Sequence, residues 1–152
     1  MLEIRIDDLS GPAIAQFLED HISEVREVTP LQSKHALDLE ALRGPEVTFW
    51  SVLDGETVVG CGAIKALDTE HAEIKAMRTA AAYQRRGVAS TLLRHIMAEA
   101  QRLGFKRLSL ETGSFTFFQP ARQLYLKQGF QYCEPFADYK KDPNSVHMTR
   151  RI

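Results

Sequence analysis

Six residues near the middle of the chain, Gln84-Arg85-Arg86-Gly87-Val88-Ala89, have the types and spacing to hold phosphate groups. From Ala89 the apolar residues fall at Leu92, Leu93, Ile96, Met97, Ala100 and Leu103, one stripe at helical spacing, so the run lies where a helix begins. The first amides of a helix have no partner within it, and the aligned peptide dipoles leave partial positive charge there. Gly87 lacks the side chain that would keep a ligand off the backbone. Arg85 and Arg86 add two fixed positive charges, and Ser90 follows in the first turn. The combination is a seat for phosphate. An ordinary strand-to-helix turn with solvated arginines would carry the same letters, and the turn alone leaves both readings open.

Such a turn needs a strand before it and a helix after it. Ala72 to Arg78 suits a strand lying between two buried layers, and Thr79 to Tyr83 is a small-residue, loop-like run. Gly104 stops the helix, and Lys106 to Thr112 reads as the next strand. A parallel pair joined by a helix over 88–103, with hairpins on either side, makes a mixed α/β sheet. By period two, Glu73 shares a strand face with Lys75 and Met77.

The rest of the chain supplies those hairpins and further helices. Leu2, Ile4 and Ile6 alternate with charged residues as a first strand with one polar face. Ser10 is placed to cap a helix and Pro12 suits its first turn. Ile14, Phe17, Leu18, His21 and Ile22 form its stripe, and Pro30 breaks it. Ser23 to Ser33 reads as a polar connection, Ser33 to Leu42 as a second helix, and Gly44-Pro45 as its end. Val47–Leu53 and Thr57–Ala66 pair around the hairpin turn Asp54-Gly55. Pro120 and Gly129 suit the two ends of a later helix. Phe130 to Cys133 and Val146 to Arg151 are the last strands. With no repeat, linker or low-complexity run, the expectation is one domain over residues 1–152.

Composition narrows the partners. At 44% hydrophobic and 26% charged residues, the 152-residue chain has the balance of a globular domain with a sizeable core. No run approaches the roughly 18 apolar residues of a membrane span, and the acidic start lacks a signal peptide's features, which predicts a cytoplasmic protein. Cys61 and Cys133 stand apart, with no CxxC and no histidine spacing for zinc, so no metal is expected and each reads as a small buried thiol. Net charge is −1, yet residues 1–76 hold 15 acids against 6 Lys/Arg, and residues 77–152 hold 5 acids against 13 Lys/Arg. A basic half suits a polyphosphate ligand and an acidic half a cationic acceptor, although solvated faces clustered by chance would give the same counts. No basic stripe interleaves with aromatics, which argues against nucleic acid.

Gln84-x-x-Gly87-x-Ala89 resembles the Q/R-x-x-G-x-G/A signature of the GNAT acyl-CoA N-acyltransferases. The likeness continues in Met77-Arg78-Thr79 at the end of the preceding strand and in Ala121-x-x-Leu124-Tyr125-x-x-x-Gly129-Phe130. It covers residues 47–134 well and the ends loosely, and Pro135-Phe136-Ala137-Asp138-Tyr139 is similar to the tail of small bacterial members. The resemblance implies a mixed sheet splayed open between its fourth and fifth strands, flanked by about four helices, with the pantetheine of acetyl-CoA in the gap.

It also implies roles. Tyr125 matches the general acid that returns a proton to the coenzyme A thiolate, and a phenol, with a reference pKa near 10, is protonated at neutral pH. Glu73 matches the general base that takes the amine proton, often through water; Glu111, at the end of the next parallel strand, is its rival. Met77 would offer its backbone amide to the thioester carbonyl, and Arg78 and Thr79 would flank the pantetheine arm. Gln84, Arg85, Arg86, Gly87, Val88, Ala89 and Ser90 would bind the pyrophosphate. His35 and Asp38 are candidate acceptor contacts, and His147 and Tyr139 border the acceptor side in such proteins. Phe115, Phe117 and Phe118 line an apolar acceptor pocket or fill core. One departure is the lack of an asparagine over 112–118, where the family often has a cofactor contact.

The function expected from this is acetyl-CoA-dependent N-acetylation of a small-molecule amine, by a monomer or a homodimer. Two alternatives stay open: acetylation of a peptide N-terminus or lysine, and a coenzyme A-binding regulatory module without turnover. A Rossmann-type nucleotide turn fits poorly, because a lone Gly87 with two arginines is not GxGxxG.

Overall fold

The computed structural model of the chain describes residues 2–28 and 39–152. Its strands form one mixed sheet. They are β1 (Leu2–Ile6), β2 (Val47–Asp54), β3 (Thr57–Ala66), β4 (His71–Thr79), β5 (Arg107–Gly113), β6 (Gln131–Cys133) and β7 (Ser145–Arg151). The spatial order is β1-β2-β3-β4-β5-β7-β6. The helices are α1 (Pro12–Val28), α2 (Leu39–Leu42), α3 (Val88–Arg102) and α4 (Gln119–Lys127). All neighbouring pairs are antiparallel except β4 and β5, which are parallel and joined through α3.

Two apolar clusters cover the two faces of the sheet. On one face, Leu92, Leu93 and Ile96 of α3 and Tyr125 of α4 pack on Trp50, Val59, Ile64, Ile74, Leu108 and Leu110. On the other, Ile14 and Leu18 of α1 and Leu42 of α2 pack on Phe49, Cys61, Ala63 and Ala76. Burial on both sides is why β2 and β3 read as nearly continuous apolar runs. β1 lies at an edge instead: of its apolar face only Ile4 packs on the core, and Ile6 is 64% exposed.

Helix ends differ from expectation in two places. α1 runs on to Val28, so residues 23–28 are helix rather than connection. Glu24, Arg26 and Glu27 are good helix formers, and such polar letters suit a helix as readily as a loop. Ser10 does not cap α1; its hydroxyl donates to Asp8 Oδ1 at 2.6 Å. The second helix is described only over Leu39–Leu42, and His35 and Asp38 lie outside the described residues.

The sheet opens at its parallel pair. β4 and β5 are in register at His71 with Arg107, Ala72 with Leu108 and Glu73 with Ser109, and pairing stops there. A little further along β4, its pairing with β3 is irregular: Cys61 faces Arg78 and Ala63 faces Lys75, so Gly62 alone stands opposite Ala76 and Met77. This is a β-bulge, with Ala76 in the left-handed region at φ 59°. An L-residue held there costs about 1–2 kcal/mol. The Ala76 methyl is buried in the α1-side cluster, and Cys61 Sγ donates to the Ala76 carbonyl at 3.1 Å.

Candidate active site

The bulge decides which way each β4 side chain points. Glu73 and Lys75 pair with Lys65 and Ala63 of β3 and face α1. Met77 does not share that face. It packs on the α3-side cluster, where a side chain at Gly62 would meet Met77 Sδ, Ile96 and Leu92. The extra residue at Ala76 shifts the alternation by one, and a one-residue slip moves a side chain through the sheet. Arg78, opposite Cys61, is again on the α1 face, with its guanidinium 5.6 Å from the Phe17 ring centroid. Thr79 ends the strand opposite Gly60.

Beyond β4 a short turn of 3-10 helix, Ala81–Tyr83, leads into the basic turn. Gln84, Arg85, Arg86 and Gly87 are exposed, and two of them have positive φ: Arg85 at 62° and Gly87 at 80°. Gly87 is the N-cap residue of α3, and a Cβ built there would meet no heavy atom within 4 Å. The open space and the left-handed backbone bare the first amides of α3, those of Val88, Ala89 and Ser90, toward solvent. Val88 is buried in the core and anchors the helix start. Arg86 is held over the Tyr83 ring at 4.6 Å, and Tyr83 donates its hydroxyl to Asp54 Oδ2 at 2.5 Å. This Tyr83–Asp54 link has no sequence signal, since it joins a hairpin turn to a loop beyond the next two strands. The turn fits a diphosphate: backbone donors, a helix N-terminus and two arginines at the end of β4.

Tyr125 lies on α4, 5% exposed, with its ring 5.6 Å from Phe130. Burial among apolar side chains pushes its phenol well above the ordinary tyrosine range. It belongs to the same cluster that Met77 packs against. The structure thus brings Tyr125 and Met77 to the α3–α4 face and Glu73 and Glu111 to the α1 face.

Glu73 is 4% exposed, at the last register pair before β4 and β5 part. Lys75 Nζ lies 3.5 Å from its Oε2. Tyr139, from the loop between β6 and β7, donates its hydroxyl to that oxygen at 2.6 Å. Glu111 pairs across β5–β7 with buried His147, whose ring packs against Phe136 and Tyr139. His71 Nε2 is 2.7 Å from Ser109 Oγ, and Ser109 Oγ is 2.8 Å from Thr149 Oγ1. Phe117, 51% exposed, is not core, while Phe118 fills the space a side chain at Gly113 would need. Cys61 is buried and Cys133 half-buried; both are free thiols. Among the described residues, no three His, Cys, Asp or Glu side chains are grouped to hold a metal ion, and no helix is long and apolar enough to cross a membrane.

The sequence pattern of the acetyltransferase (GNAT) family matches residues 14–130. The chain belongs to the GNAT family. It is 54% identical over 151 residues to an uncharacterized N-acetyltransferase, YsnE, of Bacillus subtilis, covering 99% of this chain and 100% of that one. It is 37% identical over 142 residues to an IAA acetyltransferase of Azospirillum brasilense, covering 92% and 91%. A GNAT acetyltransferase of Elizabethkingia anophelis solved with acetyl-CoA bound superposes with a TM-score of 0.72 at 18% identity, over 99% of this chain and 98% of that one. As a GNAT N-acetyltransferase the protein uses acetyl-CoA as its acyl donor, and the parted strands with the basic turn above them are features of this chain that suit that thioester.

Proposed function

We propose that this GNAT enzyme transfers the acetyl group of acetyl-CoA to a primary amine of a small molecule, by direct attack of the amine on the thioester. The observation that carries the reading is the parting of β4 and β5 above Glu73, with the Gly87 turn at the far end of β4. A buried carboxylate at the base of the gap and a turn of backbone donors and arginines at its top support this reading.

The roles follow from that layout. The turn over 84–90 holds the pyrophosphate, and Arg78 and Thr79 flank the arm that leads down from it. The bulge at Ala76 leaves Met77 outside the β3 register, and its backbone amide is the donor for the thioester oxygen. Glu73 receives the amine proton. Met77 is four positions further along β4, ~13 Å at the usual rise, so the proton travels through water. Glu111, on the same face, is the second carboxylate beside the acceptor and draws it by charge. Tyr125, kept neutral by its surroundings, donates to the departing thiolate.

A small acceptor is favoured over a peptide because Tyr139, from the loop between β6 and β7, reaches Glu73 and takes up space beside it. On this reading residues 1–152 form one catalytic domain, acting in the cytoplasm where acetyl-CoA is made, without nucleic acid or membrane as partner. The exposed β1 edge is the surface available for a homodimer.

The test is thiol release from acetyl-CoA against a panel of amines, amino acids, polyamines, short peptides and IAA. Turnover with one class of small amine, lost in Tyr125→Phe, supports the reading. Turnover confined to peptides replaces it with a peptide acetyltransferase. Tight acetyl-CoA binding without turnover across the panel replaces it with a binding module.

A further inference from the structure

The loop between β6 and β7 makes a tight turn at Phe136-Ala137-Asp138-Tyr139, closed by a hydrogen bond from the Tyr139 amide to the Phe136 carbonyl at 3.0 Å. Ala137 takes φ 52°, a conformation unfavourable for any L-residue. The surroundings hold it there. Phe136 and Tyr139 pack edge to face at 5.2 Å, Phe136 meets His147 at 5.6 Å, and Tyr139 meets His147 at 5.2 Å. His71, two residues before Glu73 on β4, closes the group at 6.0 Å from Phe136. Four rings from three parts of the chain therefore fix the Tyr139 phenol over β4.

Its hydroxyl reaches Glu73 Oε2, and Lys75 approaches the same oxygen. Among the described residues, Oε1 takes no hydrogen bond. One oxygen of a buried carboxylate is thus tethered and the other is left for a further donor. Burial and the neighbouring carboxylate raise the Tyr139 phenol above its ordinary range, so it stays a donor to Glu73.

We propose that Tyr139 is the positioning residue for Glu73: by holding Oε2 it fixes the carboxylate so that Oε1 faces the attacking amine or its bridging water. This rests on the reading of Glu73 as the base. An untethered carboxylate on a strand rotates about its side-chain bonds, and each productive encounter would then need it to be ordered again. The tether acts on the chemical step and leaves acetyl-CoA binding, at the other end of β4, untouched.

The experiment is a two-by-two set of Tyr139→Phe and Glu73→Gln, assayed with acetyl-CoA and the fastest amine of the panel. Phenylalanine keeps the ring in its packing, and a single cooperative thermal transition confirms the fold. The expected result is a kcat about tenfold lower in Tyr139→Phe, with both KM values within about twofold, since a hydrogen bond to a charged group is the stronger kind. In the Glu73→Gln background the same change has no further effect, because the two act as one unit. An unchanged kcat in Tyr139→Phe overturns the proposal, as does an equal loss with and without Glu73. Full activity of Glu73→Gln by itself removes Glu73 as base and the proposal with it, a failure distinguishable from the other two.

Discussion

Tyr83 donates its hydroxyl to Asp54 Oδ2 and so ties the β2–β3 hairpin turn to the loop that carries Arg85 and Arg86. The ring of the same tyrosine lies under the Arg86 guanidinium. One residue therefore anchors the loop to the sheet and supports a cation at the phosphate seat.

Loosening that anchor should weaken acetyl-CoA binding without touching chemistry. Tyr83→Phe keeps the ring under Arg86 and loses the tether, so KM for acetyl-CoA is expected to rise about threefold at unchanged kcat; Tyr83→Ala loses both and should cost more. The hydrogen bond from Tyr83 holds the Asp54 carboxyl below its usual range. The tether is therefore intact at neutral pH and is lost only as pH falls through that depressed value. Calorimetric titration with coenzyme A at pH 7 checks the prediction, and equal affinity in Tyr83→Ala contradicts it.

Gly87 tests the seat itself. A side chain there has room, but φ 80° strains it. Gly87→Asn, a residue that tolerates this conformation, should stay folded and lose little affinity, whereas Gly87→Glu sets bulk and negative charge on the phosphate path and should abolish coenzyme A binding. The two variants separate backbone strain from charge. Normal affinity in a folded Gly87→Glu protein would refute the phosphate seat.

What could be read from the letters was what local spacing encodes. The stripe from Ala89 to Ala100, the Gly87 turn and the Asp54-Gly55 hairpin each lie within one or two elements, and each is present, whereas Leu103 caps the helix and is exposed. The parted β4–β5 pair followed from resemblance, not from periodicity. Met77 lies on the face opposite to the one period two predicts, because a bulge at an alanine leaves no mark in the letters; a glycine at position 76 would suggest it. Residues 23–28 read as loop because polar letters of this kind occur in helices and loops alike. The Tyr139–Glu73 bond joins residues 66 apart in sequence, a contact that only the folded sheet and the ring cluster over β4 create.

The bulge itself makes a prediction at Gly62. A Cβ there would lie 2.5 Å from Met77 Sδ, 3.0 Å from Ile96 and 3.3 Å from Leu92. Gly62→Ala should therefore push Met77 off β3 and destabilise the fold by about 1–3 kcal/mol, the usual cost of overpacking a core. If the strain is passed to the Met77 backbone, kcat should fall as well. Chemical denaturation and steady-state kinetics read the two effects. Met77→Ala in the same background relieves the contact, and recovery of both stability and kcat in the double variant would attribute them to this one clash.

Tyr125 carries the most direct test of the chemistry. Its phenol is raised by burial alone, so it is protonated throughout the neutral and mildly alkaline range. A general acid is active in its protonated form, and a raised pKa moves its loss of activity to higher pH. The alkaline side of the kcat profile should therefore show no Tyr125-dependent fall below about pH 10. Tyr125→Phe should lower kcat about a hundredfold with KM for acetyl-CoA within about twofold, since the ring still fills its place beside Phe130. Its stability should equal or exceed that of the parent, because the hydroxyl is removed from an apolar cluster. Reduced kcat with unaltered stability and binding would assign the loss to proton donation; an unchanged kcat would leave Tyr125 a core aromatic and require the thiolate to take its proton from solvent.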